Sequence, residues 1–207
     1  MTRASLNKSV LSRESVKLSE YQRFLPSLEL KRRQIVAERL RARAHLAECR
    51  AQLEAQLVGS ARDLPMLANE EVALDTLVVV EAIDLSTQNL SGTRLPVLKE
   101  VRFAEVVYAR LTRPHWVDAA VVALREVIRM RIARDVAERR LRELEQAEAL
   151  IARRVNLFEK VLIPRSQETI RRIRMALADA EREAVIRAKL SKRKTAARAG
   201  EARLAAI

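Results

Sequence analysis

The chain has 207 residues, of which 49% are apolar and 32% charged, and its formal net charge is +13. Three glycines and 3% aromatic residues are too few for a β-sandwich and favour long helices. The longest uncharged stretch, residues 85–93, is far shorter than the roughly 20 apolar residues of a membrane span. These features predict a mainly helical cytoplasmic protein, and a single cysteine, Cys49, excludes an internal disulfide.

Charge and helix breakers divide the sequence into three segments. Residues 1–58 carry a net charge of +6, residues 59–117 of −2 and residues 118–207 of +9. Most of the prolines and glycines fall in the middle segment. We therefore predict an N-terminal helix, a small irregular module and a C-terminal helix with these boundaries.

The first segment has apolar residues at helical spacing from about residue 5 to residue 58. A helix of that length extends over about 80 Å. Pro26 has no backbone N–H to donate, so we expect it to bend the helix. The predicted packing face of this helix comprises Tyr21, Phe24, Leu28 and Ile35.

The middle segment contains short β-branched runs instead. Residues 77–85 (LVVVEAIDL) and 94–98 (RLPVL) flank a polar turn at 91–92. This pattern predicts a β-hairpin with Pro96 on an edge, within a small cap module at the bend of the chain. Residues 101–111 are compatible with either a strand or a short helix.

The last segment has a more regular apolar seam, whose residues alternate steps of three and four with Glu148 as the one polar member of its first run. Leu162 and Ile170 lie eight residues apart across Pro164, whereas a heptad needs seven, so the seam slips by one residue there. A second run continues to Ala184. The predicted packing face comprises Val155, Phe158, Leu162, Ile170, Ile173 and Leu177.

Two helices this long need each other as packing partners. The last segment would extend over roughly 120 Å if it were continuous. No globular domain of this size encloses such a helix, and the short middle segment makes the pairing antiparallel. The predicted fold class is mainly α: a long antiparallel two-helix coiled-coil hairpin with a small β-hairpin-containing module at the bend.

Residues capable of catalysis or metal binding form no recognisable pattern. The three glycines are too far apart for a phosphate-binding loop. His45 and His115 lack neighbouring ligands at metal-binding spacing. Cys49 falls at helical spacing with Leu46 and Leu53, which favours a packing role. We predict a non-catalytic chain with no cofactor and no metal.

The cationic ends of the chain predict an anionic or polar partner. Residues 187–198 (RAKLSKRKTAAR) form the densest basic stretch and are suited to phosphates or an anionic surface. They include no aromatic residue on which a base would stack. Basic residues also occur along the whole length of both predicted helices, which favours a surrounding protein sleeve.

Several short motifs resemble one known family. RRVNLFE (153–159), VLIP (161–164) and AERE (180–183) resemble C-terminal motifs of the D subunits of the V-type and archaeal (A-type) rotary ATPases. NLSG followed by LPV (89–97) resembles the hairpin of that family, and LKRR (30–33) resembles its opening helix. These motifs occur in the family's order over most of the chain.

The resemblance implies a rotor subunit that couples ATP hydrolysis or synthesis to ion transport without catalysing either. Its implied partners are the catalytic and non-catalytic nucleotide-binding subunits of the ATPase ring, a small central-stalk companion subunit, and the socket subunit above the membrane ring. It implies a cytoplasmic position peripheral to the membrane, without membrane insertion and without direct nucleic-acid binding. The residues predicted to contact the catalytic ring are Arg171, Arg172, Arg187 and Lys189.

Two alternative functions are open at the level of the sequence. One is a coiled-coil stalk protein of a type III or flagellar export ATPase, although such proteins usually lack a β module like the one predicted at 75–105. The other is a basic coiled coil associated with nucleic acid, which predicts binding that weakens steeply with salt.

Overall fold

The computed structural model describes residues 7–68, 77–106 and 114–204, and of residues 67–68 and 197–204 it describes the backbone alone. The predicted fold class, mainly helical with a β-hairpin between long helical segments, is confirmed. A 3-10 turn at Pro65–Ala68 follows the first helix, and a π-turn at Phe158–Leu162 joins the last two. The elements in chain order are α1 (Lys8–Asp63), β1 (Val80–Leu90), β2 (Thr93–Phe103), α2 (Trp116–Leu157) and α3 (Ile163–Leu204).

Helix α1 begins at an asparagine cap and continues past its predicted end. The side-chain oxygen of Asn7 accepts a hydrogen bond from the Val10 N–H at 2.9 Å, which satisfies one of the free N–H groups of the first turn. The helix runs without interruption through Pro26 and ends at Asp63 rather than near residue 58. The bend predicted at the proline stays a prediction.

The π-turn accounts for the slip in the apolar seam. The Ile163 N–H donates to the carbonyl oxygen of Phe158, five residues back instead of four. Such a turn holds one extra residue, and the next residue, Pro164, has no N–H to donate in any case. The extra residue brings the apolar positions after the proline back onto the packed face of the helix.

The chain divides into two compact units. We name residues 1–29 with 153–207 the terminal unit, and residues 30–152 the central unit. In the terminal unit, Tyr21 meets Phe158 edge to face with ring centroids 5.4 Å apart. Farther along, residues 15–22 of α1 line a groove with residues 167–175 of α3. Lower-numbered residues of α1 therefore lie beside higher-numbered residues of the C-terminal helical segment, so the helices of this unit are antiparallel.

Helices α1 and α2 are also antiparallel to each other in the central unit. Leu46 and Cys49 form a buried cluster with Ala137. The Arg39 guanidinium lies 3.0 Å from the Glu148 carboxylate, so α1 numbers again rise as α2 numbers fall. Other buried apolar residues of the unit include Ile35, Leu144 and Ile151.

The β-hairpin of the central unit turns tightly at Ser91 and Gly92, whose φ angles are 51° and 84°. Two adjacent residues at positive φ are typical of the hairpin turn that matches strand twist. The Asn89 side chain closes the turn by accepting a hydrogen bond from the Gly92 N–H at 2.9 Å. The antiparallel pairing places Leu90 opposite Thr93 and Val80 opposite Phe103, with one irregularity in each strand. The hairpin predicted from the sequence is therefore present with longer strands.

An apolar cluster of the central unit joins the segment before β1 to the start of α2. It comprises Leu77, Trp116, Val117, Ala120 and Val121. Nearby, the guanidinium groups of Arg125 and Arg129 each lie 5.7 Å from the centre of the Phe103 ring. Of the ambiguous residues 101–111, the first three belong to β2, and 107–113 lie outside the described residues.

Candidate functional site

Most of the predicted packing residues are at least half-buried in their own unit. In the terminal unit Ile173 has 0% of its surface exposed, and Ile170 and Val155 are also buried. In the central unit Ile35 is buried. The half-buried members of the set are Tyr21, Leu28, Phe158, Leu162 and Leu177.

Phe24 is a correction to the predicted packing face. Its side chain is 56% exposed, whereas that of Leu25 is half-buried. The inward residues of this stretch are Leu18, Tyr21, Leu25 and Leu28, which step by three, four and three. Phe24 is one residue away from that series, and one residue turns a helix by about 100°. Spacing alone does not separate the two residues, because Tyr21, Phe24 and Leu28 also step by three and four.

The apolar seam of α3 also ends earlier than predicted. Every described side chain from Ala178 to Ala196 is exposed, including Ala180 and Ala184 of the predicted run. Helix α3 therefore continues for about five turns with no packing partner in the part of the chain that the structure describes. Its exposed surface combines basic residues with the apolar side chains Val185, Ile186 and Leu190.

The four residues predicted to contact a catalytic ring all lie on the exposed surface of α3. Arg172 pairs with Glu168 one turn back, and Arg187 lies 3.4 Å from Glu183. Both pairs join residues of the same helix, so they leave the guanidinium groups at the surface. Lys189 follows on the unpartnered part of the helix.

Arg171 belongs to a groove of the terminal unit. The groove has a volume of about 480 Å³ and lies between α1 and α3. Arg171 and Arg174 give it two cations, and Leu18, Ile170 and Met175 give it an apolar floor. Such a lining suits an acidic or polar segment with an apolar anchor. The remaining lining residues are Ser15, Ser19, Gln22 and Gln167.

The central unit contains a polar cluster that sequence reasoning missed. One Arg140 guanidinium nitrogen donates to Glu38 at 2.6 Å and to Gln88 at 3.0 Å, so it contacts α1 and β1 from α2. At the hairpin turn, the Ser91 hydroxyl donates to the Gln34 side-chain oxygen at 2.7 Å. We call Gln34, Glu38, Gln88, Ser91 and Arg140 the polar latch.

Glu148, the one polar member of the predicted seam, makes a polar contact between the helices that the sequence analysis did not predict. It interrupts the apolar seam of α2, and the structure places it against Arg39 of α1 at 3.0 Å. The carboxylate oxygen nearest to Arg39 is buried and makes no hydrogen bond, so the contact is an ion pair only. No comparable signal identified Arg140.

A cavity of about 370 Å³ lies beside the polar latch, between β2 and the two helices of the central unit. Arg140 and Glu38 form part of its wall. Opposite Val97 and Leu98 of β2, three alanines form part of its lining. The small helix residues of the lining are Ala42, Ala133 and Ala137, and the larger ones include Arg41, His45 and Val136.

Cys49 and His45 form a further contact in the central unit. The Cys49 sulfur lies 3.1 Å from Nδ1 of His45. Burial raises the pKa of the Cys49 thiol, and the nearby Glu48 carboxylate raises it further. A raised pKa disfavours the reactive thiolate, which agrees with the packing role that the sequence predicts.

Among the side chains that the structure describes, residues 7–66, 77–106 and 114–196, no group of three or more His, Cys, Asp or Glu residues is placed to hold a metal ion. In the part of the chain that the structure describes, no helix is both long enough and apolar enough to cross a membrane.

Comparison with known proteins gives one consistent result. A sequence profile of the ATP synthase D subunit matches residues 10–193. The V-type ATP synthase D subunit of Chlamydia abortus is 30% identical over 207 residues, which cover 99% of each chain. The protein of the same name from Chlamydia muridarum is 30% identical over 199 residues, or 91% of this chain and 94% of the relative. That from Borreliella burgdorferi is 25% identical over 192 residues, or 93% and 95%.

Proposed function

From the premise that this chain belongs to the family of ATP synthase D subunits, we propose that it is the central-stalk rotor subunit of a V/A-type ATPase. The observation that carries the proposal is the extent of the family match, which includes nearly all of α1, the whole hairpin, α2 and most of α3. The features shared with the family are therefore those of the complete architecture. Neither the export-stalk nor the nucleic-acid alternative is favoured by this match.

The proposed role is mechanical rather than catalytic. ATP is hydrolysed or synthesised at interfaces of the surrounding nucleotide-binding subunits, and this chain contributes no reacting group. Two unlike antiparallel helices present different side chains on different faces. Each catalytic interface then meets a different face and is biased toward a different conformation by its differential contact energy. Rotation of the stalk exchanges these biases in turn.

The unpartnered part of α3 supports a contact with the nucleotide-binding ring. Its side chains are exposed over residues 178–196, where six basic residues outnumber three acidic ones and apolar side chains lie between them. An exposed cationic helix attracts an acidic or polar sleeve over a range of about one Debye length. We assign Arg171, Arg172, Arg187 and Lys189 to this contact.

The central unit is assigned to the membrane-proximal partners. In this proposal its hairpin side faces the small companion subunit, and its bend enters the socket subunit above the membrane ring. The chain then acts at the cytoplasmic side of the membrane, through protein contacts alone. Its mixed surface supports this assignment, because Ile83 and Leu85 of β1 are exposed beside the charged residues Glu81 and Asp84 of the same strand.

The test is purification of the tagged chain from its own cells in mild detergent with nuclease present. We expect the nucleotide-binding subunits to co-purify with ATP hydrolysis activity. Deletion of residues 187–207 should reduce that activity, because it removes much of the proposed ring contact. The matched control replaces Arg62 by Ala, because Arg62 is 82% exposed and lies in the central unit.

Three results would contradict the proposal. Recovery of an export ATPase would support the stalk alternative. Nucleic-acid fragments that are retained until salt is raised would support the nucleic-acid alternative. Full ATPase activity after the deletion would contradict the assigned contact with the ring, although the chain would still be a subunit of the complex.

A further inference from the structure

The β-hairpin is held to the helices of the central unit mainly by one strand. Along β1 no side chain is fully buried, and Ile83 and Leu85 are nearly half exposed. Along β2 only Leu95 and Val101 are fully buried. A cavity of about 370 Å³ lies between residues 96–98 of β2 and the helices, so apolar packing along this part of the strand is incomplete.

The polar latch supplies the contacts of β1 that apolar packing does not. Gln88 lies near the tip of β1 and accepts a hydrogen bond from Arg140, while Ser91 in the turn donates to Gln34. A two-stranded hairpin by itself is marginally stable in water. The hairpin therefore depends on its attachment to the helices to keep its conformation.

Arg140 occupies the one position of the latch that contacts all three elements. Its side chain and that of Glu38 are each 19% exposed, so the ion pair is largely shielded from solvent. An arginine presents several N–H donors in a rigid planar fork, and here the same group serves a carboxylate and an amide. Lysine lacks that fork. Alanine would remove the donor to Gln88 and the shorter of the two ion pairs of Glu38, whose other partner, Arg41, lies at 3.6 Å on the same helix as Glu38.

We infer that Arg140 is a positioning residue that fastens the β-hairpin to both helices of the central unit, so that the three elements turn as one body. This inference rests on the proposed rotor function. Opening of the latch would let the hairpin lift from the helices and yield under torque. ATP hydrolysis would continue in the ring, but less of the rotation would reach the ion-transporting ring.

The test compares two neighbouring arginines in the assembled ATPase. Arg140→Ala removes the latch donor, and Arg139→Ala removes an exposed guanidinium from the adjacent position of the same helix. We expect both variants to hydrolyse ATP at the parent rate. The number of ions transported per ATP should fall with Arg140→Ala and stay at the parent value with Arg139→Ala.

A crosslink separates fastening from a general loss of stability. Gln34→Cys and Ser91→Cys place two thiols at a contact that measures 2.7 Å between the native side-chain atoms, in a Cys49→Ala parent. A short thiol crosslinker across this pair should restore the transport ratio of the Arg140→Ala variant. Failure of a confirmed crosslink to restore the ratio would overturn the inference.

Hydrogen exchange on the full chain tests the fastening independently of the ATPase. The amides of β1 and β2 should exchange about tenfold faster in Arg140→Ala than in Arg139→Ala, because loss of a charged hydrogen bond raises the open population by about that factor. Gln88→Ala, which leaves the Arg140 pair with Glu38 intact, should give a smaller change in the same direction.

Equal protection in Arg140→Ala and Arg139→Ala would refute the latch even if the rotor function holds. If the parent chain does not join an ATPase, the rotor function is refuted and the measurement of ions transported per ATP no longer applies. The hydrogen-exchange result would still show whether Arg140 fastens the hairpin to the helices.

Discussion

The terminal and central units use the same helical architecture but place their ion pairs differently. In the described part of the terminal unit, each ion pair joins two residues of one helix, as Arg172 and Glu168 do. In the central unit, Arg39 with Glu148 and Arg140 with Glu38 join different helices. Pairs within one exposed helix contribute a few tenths of a kcal/mol each. Pairs between elements also fix which residues face each other.

The two arrangements suit two different mechanical roles within one chain. The terminal unit holds its helices together through an apolar seam and leaves its charges at the surface for a partner. The central unit directs several charges inward, where they connect helices and hairpin. Under the proposed function, the first arrangement suits a surface that moves against a surrounding ring, and the second suits a body that has to stay in one piece.

The largest expected effect comes from the apolar seam of the terminal unit. Ile173→Ala should lower the free energy of unfolding of the full chain by about 3 kcal/mol, since it empties a fully buried position. Urea denaturation measures the change. Met175→Ala, at a side chain that is 58% exposed, should change stability by less than about 0.5 kcal/mol. Similar values for the two variants would show that this seam does not hold the unit together.

A smaller effect is expected from the ion pair between helices in the central unit. Arg39→Ala should cost about 2 kcal/mol, because it leaves a buried Glu148 oxygen without its cation. The matched change in the terminal unit is Arg172→Ala, which removes an exposed partner within one helix and should cost less than about 0.5 kcal/mol. Both are measured by the same urea titration. If the two costs were equal, the contrast between the units would be lost.

The corrected packing face gives a third prediction. Leu25→Ala should destabilise the chain by about 1 kcal/mol, since a half-buried leucine loses part of its apolar contact. Phe24→Ala should have almost no effect, because its ring is 56% exposed. Thermal unfolding of the two variants decides which residue belongs to the seam. A larger loss for Phe24→Ala would favour the sequence-based choice instead.

The smallest expected effect concerns reactivity rather than stability. Because burial raises the pKa of Cys49, a smaller fraction of its thiol is ionised at pH 8 than in a free cysteine. Its modification by a thiol reagent should be about tenfold slower, and the midpoint of its pH profile should shift upward. The control is Ser191→Cys in a Cys49→Ala parent, because residue 191 is exposed in the terminal unit. Equal rates at both positions would mean that Cys49 is accessible.

The local features of this fold could be predicted from its sequence. Steps of three and four residues identified the long helices, and Ser91-Gly92 between β-branched runs identified the hairpin. The eight-residue step across Pro164 identified an irregularity that the structure realises as a π-turn. Each of these signals lies within about ten residues of chain, where backbone geometry is set by neighbouring side chains.

The tertiary structure decided what local periodicity cannot resolve. Helical spacing selected Phe24 where Leu25 is inward, because the two differ by one residue and only the partner helix determines which one is covered. The polar latch could not be predicted from the sequence, because Arg140 is 52 residues from Gln88 and 102 residues from Glu38. Periodicity reports the face that a residue occupies on its own helix. The partner that a charged side chain meets depends on how distant segments pack, and that packing places Arg140 against α1 and β1 together.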